Sequence, residues 1–161
     1  MFNLWNRNRA QKAKALLNSS IHDEITFYKT FLKDLASCEE EVVIISPYIT
    51  NSRAQVLRPV LQKLVEQGIK VNIITRHPNE HEENMAVQAE GEIAQLEIGG
   101  VKVSFAKGNH HQKLAILDRK ILWEGSLNIL SQTRSGEVMR RIENKQCAIE
   151  MFNFLKLKRL I

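Results

Sequence analysis

Residues 108–118 read GNHHQKLAILD, which puts His111 two positions before Lys113, with Asp118 five further on. On an extended chain alternate side chains share a face, so His111 and Lys113 point the same way, about 7 Å apart. An imidazole and an ammonium at that separation suit one phosphate group. The imidazole serves as nucleophile or proton carrier, and the ammonium clamps the charge on the oxygens. After Asp118 come six residues and then Gly125, Ser126 and, past Leu127, Asn128. A glycine at a strand end lets backbone approach a ligand. Short polar side chains after it, with the free N–H groups of a helix starting there, favour an anion.

The pattern His111-x-Lys113-x4-Asp118-x6-Gly125-Ser126-x-Asn128 resembles the HKD signature of the phospholipase D superfamily. The order of VVIISPYIT, VNIIT and VKVSFAKGNHHQKLAILD is similar to successive strands of that fold, over about residues 25–151. The family pattern often continues with Asn-x-Glu about ten residues after the Gly-Ser pair. Here that stretch reads Ser135-Gly136-Glu137, so the glutamate matches and the asparagine does not.

The resemblance implies that His111 attacks phosphorus to give a phosphohistidine. Lys113, Ser126 and Asn128 would hold the non-bridging oxygens. Asp118 or Glu137 would orient an imidazole, of its own chain or of a partner, and the choice between them stays open. No metal and no other cofactor is implied, because cationic side chains do the electrostatic work. Such a mechanism uses two histidines, and His22, His77, His81 and His110 lack the companion lysine and aspartate. A homodimer with one composite site on its two-fold axis would supply the second.

Blander readings compete at several positions. His110 has the wrong parity to share the face of His111, which makes it a loop residue or a support behind the site. Zinc at His110 and His111 is disfavoured, since adjacent residues seldom ligate one metal and no matching pair occurs elsewhere. Trp123 reads as core. Arg134, Arg140 and Arg141, with Lys145 after them, form either a solvated basic face or a patch that tracks a substrate backbone toward the site, with Gly125 as a further substrate-backbone contact.

The elements that must hold these residues follow from periodicity. Residues 1–20 read as a basic arm or helix carrying Arg7, Arg9, Lys12 and Lys14, and residues 21–161 as the catalytic domain. Ser20 offers an N-cap, with Asp23 as its partner, for an amphipathic helix through Ile25, Phe27, Phe31, Leu32 and Leu35. Val42–Ile45 suits a strand buried on both faces. A helix follows through Val56, Leu57, Val60, Leu61 and Leu64, with Pro59 inside the pattern and Gly68 as its stop. VNIIT (71–75) is a strand and the segment from Glu82 to Leu96 a helix. VKVSFA, KLAILD, KILWEG and CAIEM are further strands. The alternation in the first half argues for one α/β domain with a mixed, largely parallel sheet flanked by helices on both faces, the phospholipase D-like fold.

Composition sets the outer bounds. The 161 residues are 43% hydrophobic and 25% charged, ordinary for a globular chain long enough to bury a core. No apolar run is long enough to span a bilayer, and the basic start lacks the apolar segment of a secretory signal. The expected location is the cytoplasm. Cys38 and Cys147 are far apart without CxxC spacing and read as buried thiols rather than a disulfide. A net charge of +5 favours a polyanionic partner, either nucleic acid or an anionic membrane surface, and composition does not separate the two. With the small size, the one motif and no obvious membrane-binding apolar helix beside it, a nuclease is the leading expectation and a membrane partner is not expected. A phospholipase or cardiolipin-type hydrolase is the alternative, with Phe2, Leu4 and Trp5 as a small interfacial surface. A third option is a non-catalytic nucleic-acid-binding module attached to a helicase or restriction-type partner.

Overall fold

The computed structural model describes residues 18–80, 82–106, 108, 110–131 and 136–161. Residues 1–17 of the basic arm, His81, Arg134 and Ser135 therefore lie outside the described residues. Along the chain the elements are β1 (Ser19–Asp23), α1 (Glu24–Ala36), β2 (Glu41–Ile45), α2 (Asn51–Glu66) and β3 (Lys70–Arg76). Then come α3 (Glu83–Ile98), β4 (Lys102–Ala106), β5 (Leu114–Leu117), β6 (Ile121–Gly125), β7 (Val138–Glu143) and α4 (Lys145–Phe154). Among the described residues, no helix is long and apolar enough to cross a membrane.

The seven strands form one mixed sheet in the order β1-β7-β6-β5-β2-β3-β4. Only β2–β3 and β3–β4 are parallel; the other neighbours are antiparallel. The expectation of a largely parallel sheet is corrected here for a physical reason. A parallel pair needs a crossover of a dozen residues or more, which α2 and α3 supply. The turn from β5 to β6 spans three residues, and a link that short joins only antiparallel neighbours.

Helices cover both faces. Phe27, Phe31 and Leu35 of α1, Leu57, Leu61 and Leu64 of α2, and Ile93 and Leu96 of α3 pack on the face that carries Val42, Ile44, Val71, Ile73 and Trp123. Ala148 and Phe152 of α4 pack on the other face, against Val43, Ile45, Ile74, Leu114 and Ile116. Trp123, Phe27 and Phe31 are fully buried. Each such side chain contributes on the order of 2–3 kcal/mol of transfer free energy. Both cysteines are free thiols. Burial pushes the Cys38 thiol up to about 12.

Three local expectations change. Ser20 lies inside β1, and Asp23 is the N-cap of α1: it accepts from the N–H of Ile25 and Thr26, while Thr26 Oγ1 accepts from the Asp23 N–H. CAIEM is not a strand but the body of α4, started by Asn144, whose side chain accepts from the Cys147 N–H. The last strand is instead VMRRIE, where two adjacent arginines hide the alternation. Pro59 sits inside α2 without ending it.

Candidate active site

The N-terminal end of β5, the C-terminal end of β6 and the N-terminal end of β7 meet at one end of the sheet. They enclose a cavity of about 750 Å3 lined by His111, Lys113, Glu124, Gly125, Ser126, Glu137 and Arg140, among others. The ladder explains why His111 and Lys113 are there. Strand β5 pairs with β2 only as far as Leu114 opposite Ile45, because β2 stops at Ser46-Pro47. The preceding residues leave the ladder and are free to face a ligand. Gly125 N–H still donates to the Lys113 carbonyl at 3.3 Å, which keeps the two strand ends in register. The expected strand start near His111 thus shifts to Leu114, yet both side chains reach the same cavity.

The Lys113 ammonium donates to the His111 carbonyl at 2.8 Å. Burial lowers its pKa from the ordinary lysine value, and the nearby Glu137 carboxylate pushes the other way. A partly desolvated cation is a stronger clamp for phosphate oxygens than a fully hydrated one. One carboxylate oxygen of Glu137, Oε2, is buried with no hydrogen-bond partner. Buried carboxylate oxygens are nearly always paired, so this one is placed to accept from an imidazole N–H or a substrate.

Gly125 is dictated by packing as well as by access. A Cβ at that position would stand 2.2 Å from the Val138 carbonyl oxygen and 2.9 Å from the Met139 Cα. Ser126 ties the same crossing: its hydroxyl accepts from the Val138 N–H at 3.2 Å, and its own N–H donates to the Val138 carbonyl at 3.0 Å. These bonds fix the entry of β7, and with it Glu137.

Asp118 is not brought to the cavity. It lies at the opposite end of β5, in a tight turn where Asp118 and Arg119 take φ of +49° and +51°. Its carboxylate accepts three backbone N–H groups, from Glu39, Glu40 and Glu41, each at 2.9 Å. Burial works against the charge there. The donors of Glu41, Glu39 and Glu40, with Lys120, outweigh it and hold the carboxyl below its ordinary value of 3.8. A depressed carboxylate stabilises the fold above the unfolded pKa and loses that contribution as pH falls through the folded one. Asp118→Asn is therefore expected to lower the melting temperature at pH 7 and to flatten its fall between about pH 4 and pH 2. Parallel melting curves for the two chains across that range would show the clamp to be unimportant.

Arg141 is also withdrawn from the cavity. Strand parity turns it to the α1 face, where its guanidinium grips Asp34 at 2.7 and 3.0 Å and donates to Glu143 at 2.9 Å. Trp123 Nε1 donates to the same Asp34 at 2.8 Å. Arg140, one residue earlier, lines the cavity and donates to the Ser19 hydroxyl at 3.3 Å. Asn128 and His110 are not part of the cavity wall. His110 is half-buried behind it, and burial, then the charges of His111 and Lys113, lowers its pKa.

Sequence reasoning missed Glu124, which lines the cavity beside Gly125. Alternation along β6 carried the signal, since a core-facing Trp123 turns Glu124 to the other face. Among the described residues, no three His, Cys, Asp or Glu side chains converge to hold a metal ion.

Comparison with known proteins places this geometry. A family model described as cardiolipin synthase, PLD-like domain, matches residues 31–156. No curated protein sequence gives a significant match. Among solved structures, the phospholipase D family member Nuc from Salmonella typhimurium is similar at a TM-score of 0.71 and 15% identity, over 86% of this chain and 91% of that one. NucT from Helicobacter pylori gives 0.64 at 22% identity, over 86% and 92%. Phosphatidylserine synthase from Haemophilus influenzae gives 0.59 at 17% identity, over 78% of this chain and 34% of the other.

Proposed function

The chain belongs to the phospholipase D-like domain family, and from that premise we propose that it is a metal-independent phosphodiesterase that hydrolyses nucleic acid. The carrying observation is the single cavity where His111, Lys113, Ser126, Glu137 and Arg140 meet. The net charge of +5 favours a polyanionic substrate.

In this mechanism the neutral His111 imidazole attacks phosphorus, a P–N bond forms, and the P–O bond to the leaving strand breaks. Lys113 and Arg140 neutralise the charge that gathers on the non-bridging oxygens. The leaving oxygen takes its proton from a second, protonated imidazole, the partner subunit's His111. That imidazole, now neutral, then removes a proton from water. The resulting hydroxide attacks phosphorus, and the P–N bond breaks to restore the starting state. Glu137 orients one of the two rings through its free oxygen.

A homodimer supplies the second imidazole. Its support is the open flank of the cavity, where Ile21 on the sheet-edge strand β1 is 63% exposed and Val138 is 50% exposed. Apolar side chains at the mouth of a charged cavity suit burial against a second copy.

Labelled single- and double-stranded DNA and RNA in excess EDTA should be cleaved at an undiminished rate. Loss of cleavage on chelation would overturn the metal-free route. Light scattering should give twice the 18.5 kDa of one chain, and a monomer at micromolar concentration would sink the shared site. The description of the matching family model favours one second reading, attack on a phospholipid headgroup. Cleavage of phosphatidyl lipid in vesicles, with no cleavage of any nucleic acid, would transfer the assignment to it.

A further inference from the structure

A second cavity, of about 530 Å3, opens at the far end of the sheet on the face that carries α4. Its wall includes Glu41, Lys70, Asn72, Lys102, Arg119 and Lys158. The Glu41 carboxylate is taken by Arg119, whose Nε donates to it at 3.0 Å. The same guanidinium lies 3.9 Å from the centre of the Phe152 ring, so Arg119 is held in place on two sides. The ammonium groups of Lys70, Lys102 and Lys158 form no ion pair with any described residue.

Asn72 is the unusual member. It lies on β3, an interior strand one place from the sheet edge, between Val43 of β2 and Lys102 of β4. It is only 7% exposed. Its neighbours Val71 and Ile73 belong to the α1–α3 core, so its side chain faces the α4 layer and the cavity. An interior strand position of this kind ordinarily carries Val or Ile. The carboxamide has no hydrogen bond to another described residue, and its polar atoms are not among the fully buried unpaired ones, so they open to the cavity and can meet a ligand. An amide offers both a donor and an acceptor to a ligand.

We propose that this second cavity binds a phosphate ester, either a free nucleotide or one phosphate of a nucleic-acid strand, at a place separate from the site of His111. Three ammonium groups without an ion pair among the described residues, around one largely buried amide, match the several anionic oxygens of a phosphate better than a carboxylate, and Lys is a common point-charge partner for phosphate. The cavity volume lies within the range of small-ligand sites and accommodates a mononucleotide. The two cavities lie at opposite ends of β2 and its neighbours, roughly 13 Å or more apart from the strand rise. One mononucleotide cannot fill both. Binding there needs no turnover, so it survives even if the chain is not a nuclease.

The test uses the full chain carrying Lys113→Ala and Arg140→Ala, which together remove both phosphate clamps of the first cavity. Inorganic phosphate, adenosine 5′-monophosphate and a 12-nucleotide single-stranded DNA are titrated by calorimetry. Saturable binding of at least one probe is expected. Asn72→Val and, separately, Lys102→Glu should each weaken it at least tenfold. Binding of the mononucleotide assigns the site to a free nucleotide; binding of the DNA alone assigns it to a strand. Failure of all three probes, or unchanged affinity in both variants, overturns the assignment. Lys102 is an exposed side chain, so its substitution leaves the fold intact even if Asn72→Val does not.

Discussion

His111→Ala is expected to lower phosphodiester hydrolysis by about 10^4-fold or more while leaving the chain folded. The side chain is exposed, and surface substitutions of that kind stay within about 0.5 kcal/mol of the parent. In the proposed mechanism the loss is large because the imidazole acts in both halves of the reaction. There it would form the P–N bond in one subunit and carry the leaving-group proton in the other, so the substitution removes both at once. Glu137→Gln should reduce kcat less severely, since a glutamine still occupies the position but no longer offsets an imidazolium charge. Asp118→Asn should retain most of its activity once stability is allowed for, because the Asp118 carboxylate faces the backbone of Glu39–Glu41 at the other end of β5. Turnover that survives in His111→Ala would remove the nucleophile from this scheme. Activity that falls further in Asp118→Asn than in Glu137→Gln would reverse the roles given to the two carboxylates.

Arg140→Ala and Arg141→Ala should separate function from stability at adjacent positions. Arg141→Ala is expected to destabilise the fold by roughly 3 kcal/mol, because it leaves the Asp34 carboxylate, 8% exposed, with Trp123 as its remaining side-chain donor. The Asp34 hydrogen bonds raise the Arg141 pKa above its ordinary value, the same coupling seen from the other partner. Asp34→Ala together with Arg141→Ala should cost less than the two single effects added, since no charge is then left alone. Arg140→Ala should leave stability within about 0.5 kcal/mol and raise KM for a nucleic-acid substrate, as loss of a phosphate contact does. Urea unfolding and steady-state kinetics on the same preparations read both quantities. A raised KM in Arg141→Ala at unchanged stability would return that residue to the substrate path.

Much of the site was legible because its members are close in sequence. His111 and Lys113 are two residues apart, and their shared face follows from backbone pleat alone. Gly125 and Ser126 were legible for the same reason, at a strand end marked by a turn signal. The helices were readable through the spacing of Phe27, Phe31 and Leu35, and of Leu57, Leu61 and Leu64. Strand β7 was not. Its two arginines look like a solvated basic patch until Arg141 is seen paired with Asp34, more than one hundred residues earlier. CAIEM failed in the opposite direction: a short apolar run has no periodicity long enough to tell a strand from a helix.

The sequence by itself determined the residue types that can do phosphate chemistry, the family resemblance, and the alternation of strands and helices in the first half. These depend on residues a few positions apart, where chain geometry leaves little freedom. The tertiary structure alone decided which carboxylate reaches the cavity and which of two neighbouring arginines faces it. The strand order β1-β7-β6-β5-β2-β3-β4 sets those answers. It lays the start of β5, the end of β6 and the start of β7 side by side and sends Asp118 to the far end. Asp118 belonged to the motif by spacing, but a strand four residues long stands between it and the cavity.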